Sequence, residues 1–115
     1  LGQGGEGLHS WLPRLDAMHA NFKAPEGMRP ALEMAPSEYI KRNFAVTTSG
    51  MNWAPAVKFA LEALGSEQVM FAIDYPFVDS GMSVKQMDSI DISDDDKAAI
   101  YHRNAERIFK IAPKA

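Results

Sequence analysis

The chain has no cysteine. That excludes a disulfide framework, a thiolate metal site and a cysteine nucleophile. Positive charge is also in short supply: 12 Lys+Arg stand against 15 Asp+Glu, a formal net charge of −3. A nucleic-acid binder ordinarily carries a basic surplus on one face, so that class drops out. No apolar run approaches the ~20 residues that a membrane-spanning helix needs. The opening, Leu1-Gly-Gln-Gly-Gly-Glu6, lacks the basic and apolar regions of a secretory signal, and a cytoplasmic location is the expectation. Repeats and low-complexity linkers are absent, so the chain is expected to form one domain or one piece of a domain.

Apolar residues make up 46% of the sequence. A chain of this size buries roughly two-thirds of its unfolded surface, enough for one core and not two. Four glycines within 2–7 disfavour a helix interior and predict a loop. Leu12, Leu15, Met18 and Phe22 recur at helical spacing and predict a helix over 10–22, with Pro13 in its first turn. An irregular, proline-rich connection is expected over 23–36, then a short helix over 37–43. Residues 44–48 form a β-prone run. Val57, Ala60, Leu61 and Leu64 predict a helix over 55–64. Residues 69–73 are apolar without alternation, the pattern of a strand buried on both faces in a parallel sheet. Strand, helix and strand over 44–73 have the length of one βαβ unit. Two helices follow, over 84–89 and 94–111. Ser93 with Asp96 is a capping-box variant, which places Asp94, Asp95 and Asp96 at the positive end of the helix dipole and gives them a structural role.

Asp74 is the leading single candidate for chemistry. It follows the apolar run directly, and functional groups in parallel α/β folds gather at the C-terminal ends of strands. A carboxylate there can hold a cation or act as a general base. It can equally cap the turn it opens, because Asp-x-Pro is a turn sequence. Gly2, Gly4 and Gly7 satisfy G-x-G-x-x-G, but no strand precedes them, and Glu6 among them would repel a pyrophosphate. His9, His19 and His102 show no metal-ligand spacing, so each reads as structural. Thr47, Thr48 and Ser49 lie where they could line a pocket.

Several segments, taken together, resemble one family. These are Gly2-Gln-Gly-Gly-Glu-Gly-Leu8 with Trp11-Leu-Pro-Arg-Leu-Asp16, and Pro36-Ser-Glu-Tyr39 with Arg42-Asn-Phe44 and Thr47-Thr-Ser-Gly50. Met70-Phe-Ala-Ile-Asp-Tyr-Pro-Phe77 and Ile100-Tyr-His-Arg-Asn-Ala-Glu-Arg-Ile-Phe109 complete the set. In this order they are similar to the C-terminal third of the amidohydrolase-related metal-dependent decarboxylases. The resemblance implies an α/β fold: the C-terminal portion of a (β/α)₈ TIM-type barrel, with 2–6 leaving the sixth strand, 44–48 as the seventh and 69–73 as the eighth. It implies a divalent metal, Zn or Mn, bound in part by Asp74, and a small-molecule aromatic or unsaturated carboxylic acid as substrate. A hydrolase of the same superfamily is the near alternative.

Two departures bear on the chain by itself. Gln3 stands where the family has a histidine placed for proton transfer, and an amide cannot exchange a proton at neutral pH. Glu6 matches the family's acid beside that position. The family's other metal ligands have no counterpart in these residues, and one carboxylate does not close a catalytic site. Three strand ends cannot close an eight-stranded barrel either. The isolated chain is therefore expected to lack catalysis, to bind no metal of its own, and to self-associate or pair with a missing N-terminal segment.

Overall fold

A two-residue parallel ladder sits at the centre of the computed structural model, which describes residues 1–22, 25, 27–28 and 31–112. A tight turn over 2–7 and a 3₁₀ turn (Leu8–Trp11) lead into α1 (Leu12–Asn21), α2 (Pro36–Asn43), β1 (Val46–Thr47) and α3 (Ala54–Leu64). Then come β2 (Val69–Met70), α4 (Ser80–Asp88) and α5 (Asp94–Ala98); a π-helical turn (Ala99–Arg103) joins α5 to α6 (Asn104–Phe109). Val46 stands opposite Val69 and Thr47 opposite Met70, with α3 as the crossover. The expected βαβ order is present. The connection expected over 23–36 lies partly outside the described residues.

Both strands are shorter than their β-prone runs, for local reasons. Phe44 belongs to the end of α2, its N–H donating to Ile40 O at 2.9 Å. Past Met70, side chains and a helix carbonyl take over the strand's hydrogen bonds. Ala72 N–H donates to Thr48 Oγ1 at 3.1 Å, and Phe71 N–H to Ile100 O at 2.9 Å. Asn104 Nδ2 also donates to Val69 O at 2.7 Å, so the C-terminal helices close the outer edge of β2. Leu1 lies along the other side of the ladder. Its amino group donates to Ala45 O at 2.8 Å, and its carbonyl accepts from Thr47 N–H at 2.7 Å.

The core is formed by Leu12 of α1, Val46 and Val69 from the strands, Val57, Ala60 and Leu64 from α3, Met87 of α4, Ile90 in the turn after it, and Ile100 of the π-helical turn. The single long helix expected over 94–111 is interrupted at Ala99–Arg103. A π turn shifts the helical register, and here it carries buried Asn104 under β2. The apolar stripe expected on α1 is only partly used: Leu12 is buried, whereas Leu15 and Met18 are exposed. The Cα radius of gyration is 16.6 Å and the long dimension 54 Å, against about 13 Å for a compact globule of this length.

Candidate active site at the strand ends

Residues Gln3, Gly4, Gly5, Glu6 and Gly7 all have positive φ, at 49°, 65°, 75°, 46° and 82°. They form one left-handed turn. Each L-residue held there costs about 1–2 kcal/mol, which three glycines avoid and Gln3 and Glu6 do not. Gly5 N–H donates to Gly2 O at 2.8 Å and Glu6 N–H to Gln3 O at 3.2 Å. Gly5 wedges the turn against β1: a Cβ there would lie 2.8 Å from Val46 Cγ1. Gln3 and Glu6 remain exposed at its rim.

The chain leaves β1 through buried Thr48 and turns at Gly50, whose φ is 66°. Beyond β2 it reaches Asp74, also left-handed at φ 78° and half-buried. A Cβ on Gly50 would lie 3.2 Å from Asp74 Oδ2, so this glycine leaves the room the carboxylate occupies. A Cβ on Gly4 would lie 3.7 Å from Met51 Cβ. The glycine turn and the Asp74 limb therefore both abut the turn at 50–51, at the C-terminal end of the parallel pair. Four non-glycine residues have left-handed φ among the described residues: Gln3, Glu6, Asp74 and Lys110. Three of them are the candidate site residues, and backbone strain of this kind concentrates at functional sites.

Asp74 C=O accepts from Phe77 N–H at 2.9 Å and Val78 N–H at 3.1 Å, which is the turn-capping role its sequence also allowed. Its carboxylate accepts no hydrogen bond among the described residues. A free carboxylate above a glycine is the donor type that hard divalent cations take, and oxygen ligands suit manganese. The number of donors is insufficient: the described residues hold no group of three His, Cys, Asp or Glu placed to bind a metal. The remaining ligands of any metal here must come from outside these residues.

Other candidates lie elsewhere. His9 is buried beneath the glycine turn, edge-on to Phe59 at 4.5 Å, with no partner at Nδ1. Burial holds its pKa below the usual 6.5. It lines a groove of about 380 Å³ with Lys41, Phe59 and Glu62. His102 faces Glu106 one helical turn on, at 3.1 Å. The acidic triplet caps α5: Asp96 N–H donates to Ser93 Oγ at 3.0 Å, and the Ser93 hydroxyl donates back to Asp96 Oδ2 at 2.8 Å. Asn52 went unnoticed in the sequence; its amide reaches Ala72 O at 3.1 Å. An amide just after a turn sequence and before a proline-led helix is its only local signal. Among the described residues, no helix is long and apolar enough to cross a membrane.

The fold of this segment superposes on parts of known proteins. The chain is 45% identical to 5-carboxyvanillate decarboxylase from Sphingomonas paucimobilis, whose crystal structure superposes with a TM-score of 0.88 over 97% of this chain and 33% of that one. Dihydroxybenzoic acid decarboxylase from Polaromonas sp. JS666, solved with bound manganese and the inhibitor 2-nitroresorcinol, is 29% identical with a TM-score of 0.84, covering 99% and 34%. Gamma-resorcylate decarboxylase of Rhodococcus jostii (strain RHA1) is 35% identical over 111 residues, 96% of this chain and 33% of the relative. The chain thus spans about a third of the length of the relatives it matches. These relatives are decarboxylases of aromatic carboxylic acids. The family model for amidohydrolases matches residues 7–111, and the chain belongs to that family.

Proposed function

We propose that this segment is the C-terminal part of a (β/α)₈ barrel that decarboxylates an aromatic carboxylic acid with the help of a divalent cation. The observation that carries the reading is the concentration of left-handed, non-glycine backbone at Gln3, Glu6 and Asp74. A cation held there supplies positive charge that polarises a substrate oxygen. Asp74 contributes one oxygen ligand and a counter-charge. Manganese is the first cation to test, since the Polaromonas relative holds it; zinc is the second.

Loss of CO₂ from an aromatic ring requires a proton on the carbon that carried the carboxylate. Gln3 can donate and accept hydrogen bonds but cannot move that proton, so the proton comes from an acid of the longer polypeptide outside this segment. It orients the substrate, and Glu6, tied to Gln3 through the Glu6 N–H to Gln3 O bond, supplies negative charge beside it. The test uses the longer polypeptide that carries this segment, loaded with Mn²⁺ and offered 2,6-dihydroxybenzoate and 5-carboxyvanillate. CO₂ release that Asp74→Ala abolishes supports the reading; release unchanged in that variant overturns it. Gln3→His is expected to raise turnover.

A second reading concerns the chain by itself. Phe44, Met51 and Trp53 are exposed at 42%, 42% and 65%, and such surface near a short sheet invites association. The isolated 115 residues are expected to be inactive and oligomeric at micromolar concentration. Sedimentation showing a compact monomer removes this reading.

A further inference from the structure

We propose that Thr48 and Asn52 clamp the Ala72 peptide and thereby set where the Asp74 carboxylate stands; both are positioning residues, an inference that rests on Asp74 being a metal ligand. The backbone ladder between the strands ends with Thr48 N–H donating to Met70 O at 2.9 Å. Two residues further along, side chains replace it. Ala72 N–H donates to Thr48 Oγ1 at 3.1 Å, and the Thr48 hydroxyl returns a bond to Ala72 O at 3.3 Å. Asn52 Nδ2 donates to the same carbonyl at 3.1 Å. One threonine thus pairs with both polar groups of Ala72, as a strand residue would, and an asparagine doubles the hold on its carbonyl.

Both side chains are more than nine-tenths buried, Thr48 at 3% and Asn52 at 6% exposure. Among the described residues Asn52 Oδ1 meets no donor, so the side chain is anchored by its Nδ2 bond to Ala72 O.

The clamp acts two residues before Asp74. That residue holds a left-handed φ of 78°, and its carboxylate accepts no hydrogen bond that would fix it directly. Gly50 only leaves room for it. The carboxylate's place is therefore imposed through the backbone, held on one side at Ala72 and on the other by the Phe77 and Val78 N–H bonds to the Asp74 carbonyl. If the Ala72 peptide loosens, Asp74 can relax toward ordinary φ, and its oxygens swing away from the turn at 50–51.

The experiment titrates Mn²⁺ by electron paramagnetic resonance into the longer polypeptide that carries this segment. Thr48→Val keeps the shape and removes the hydroxyl; Thr48→Ser restores it. Thr48→Val is expected to weaken Mn²⁺ binding roughly 10-fold or more, the usual effect of losing a group that orients a metal ligand. Thr48→Ser should return the affinity to near the parent value. Unchanged affinity in Thr48→Val, even with a lowered melting temperature, overturns the clamp, and so does equal loss in Thr48→Ser. If Thr48→Val does not fold, Asn52→Ala, which keeps both threonine bonds, must weaken binding in the same direction or the inference fails. Asp74→Asn separates the two levels. If it leaves Mn²⁺ affinity intact, the ligand reading and the clamp fall together; if it weakens affinity while Thr48→Val does not, only the clamp falls.

Discussion

Asp74 and Asp96 are both half-buried carboxylates. Asp96 accepts the Ser93 hydroxyl, and its own N–H returns to Ser93 Oγ. Among the described residues Asp74 accepts nothing at its carboxylate. The contrast extends to their surroundings. In the C-terminal helices Asp79 accepts from Met82 N–H at 2.7 Å, Asp88 from the Tyr101 hydroxyl at 2.6 Å, and Asp95 pairs with Arg103 at 2.7 Å. The Tyr101 hydroxyl is pushed up to about 12 by burial first and the Asp88 carboxylate second. At the strand ends Glu6 and Asp74 have no side-chain partner among the described residues, and their backbone is left-handed. Acids of the C-terminal helices cap helix ends or pair with neighbouring groups; Glu6 and Asp74 sit on left-handed backbone, at a cost in strain. Proteins accept such costs where a site requires them.

Substitutions can break or sharpen this contrast. The largest effect is expected at Gly5, where a methyl meets Val46 Cγ1 at 2.8 Å and φ is 75°. Gly5→Ala should destabilise the chain by about 3 kcal/mol in urea unfolding, since strain and overpacking add. Asn104→Ala comes next. It removes the donor from Ser66 O and Val69 O, both at 2.7 Å, and should cost about 2 kcal/mol through two unpaired carbonyls. Ser93→Ala should cost about 1 kcal/mol, the usual value of a lost helix cap.

Asp74→Gly should act with the opposite sign. Glycine adopts φ 78° without penalty, so stability is expected to rise by about 1 kcal/mol. If Asp74→Gly destabilises as Ser93→Ala does, the two regions do not differ as described. The smallest effect is a pH slope from His9. Burial keeps its folded pKa below 6.5, so between the two values the unfolded chain binds more protons and stability rises with pH. Stability should therefore fall as pH drops below 6.5, and His9→Gln should flatten that part of the profile.

The sequence was legible where local rules suffice. The βαβ order, α3 and the cap at Ser93 all follow from spacing and hydrogen-bonding residues a few positions apart. Gln3, Glu6 and Asp74 could be singled out by position and resemblance, and the glycine density around the first two foreshadowed a backbone that L-residues avoid. Distant partners were not legible. Thr48 and Asn52 meet Ala72 across the crossover helix, and Asn104 reaches Val69 only because a π turn shifts the helical register. Periodicity cannot reveal a register shift inside a helix, so nothing in the spacing singled out Asn104. Leu15 and Met18 show the converse, correct helical spacing with nothing among the described residues to bury it.

The outer edge of β2 is sealed at Val69 by an asparagine amide and at Phe71 by a carbonyl of the π turn. A sheet normally offers the same welcome to backbone on both flanks. Here the β2 flank is already occupied at two levels. A strand laid beside it must displace the Asn104 amide and the Ile100 carbonyl or be held at those levels by side-chain packing.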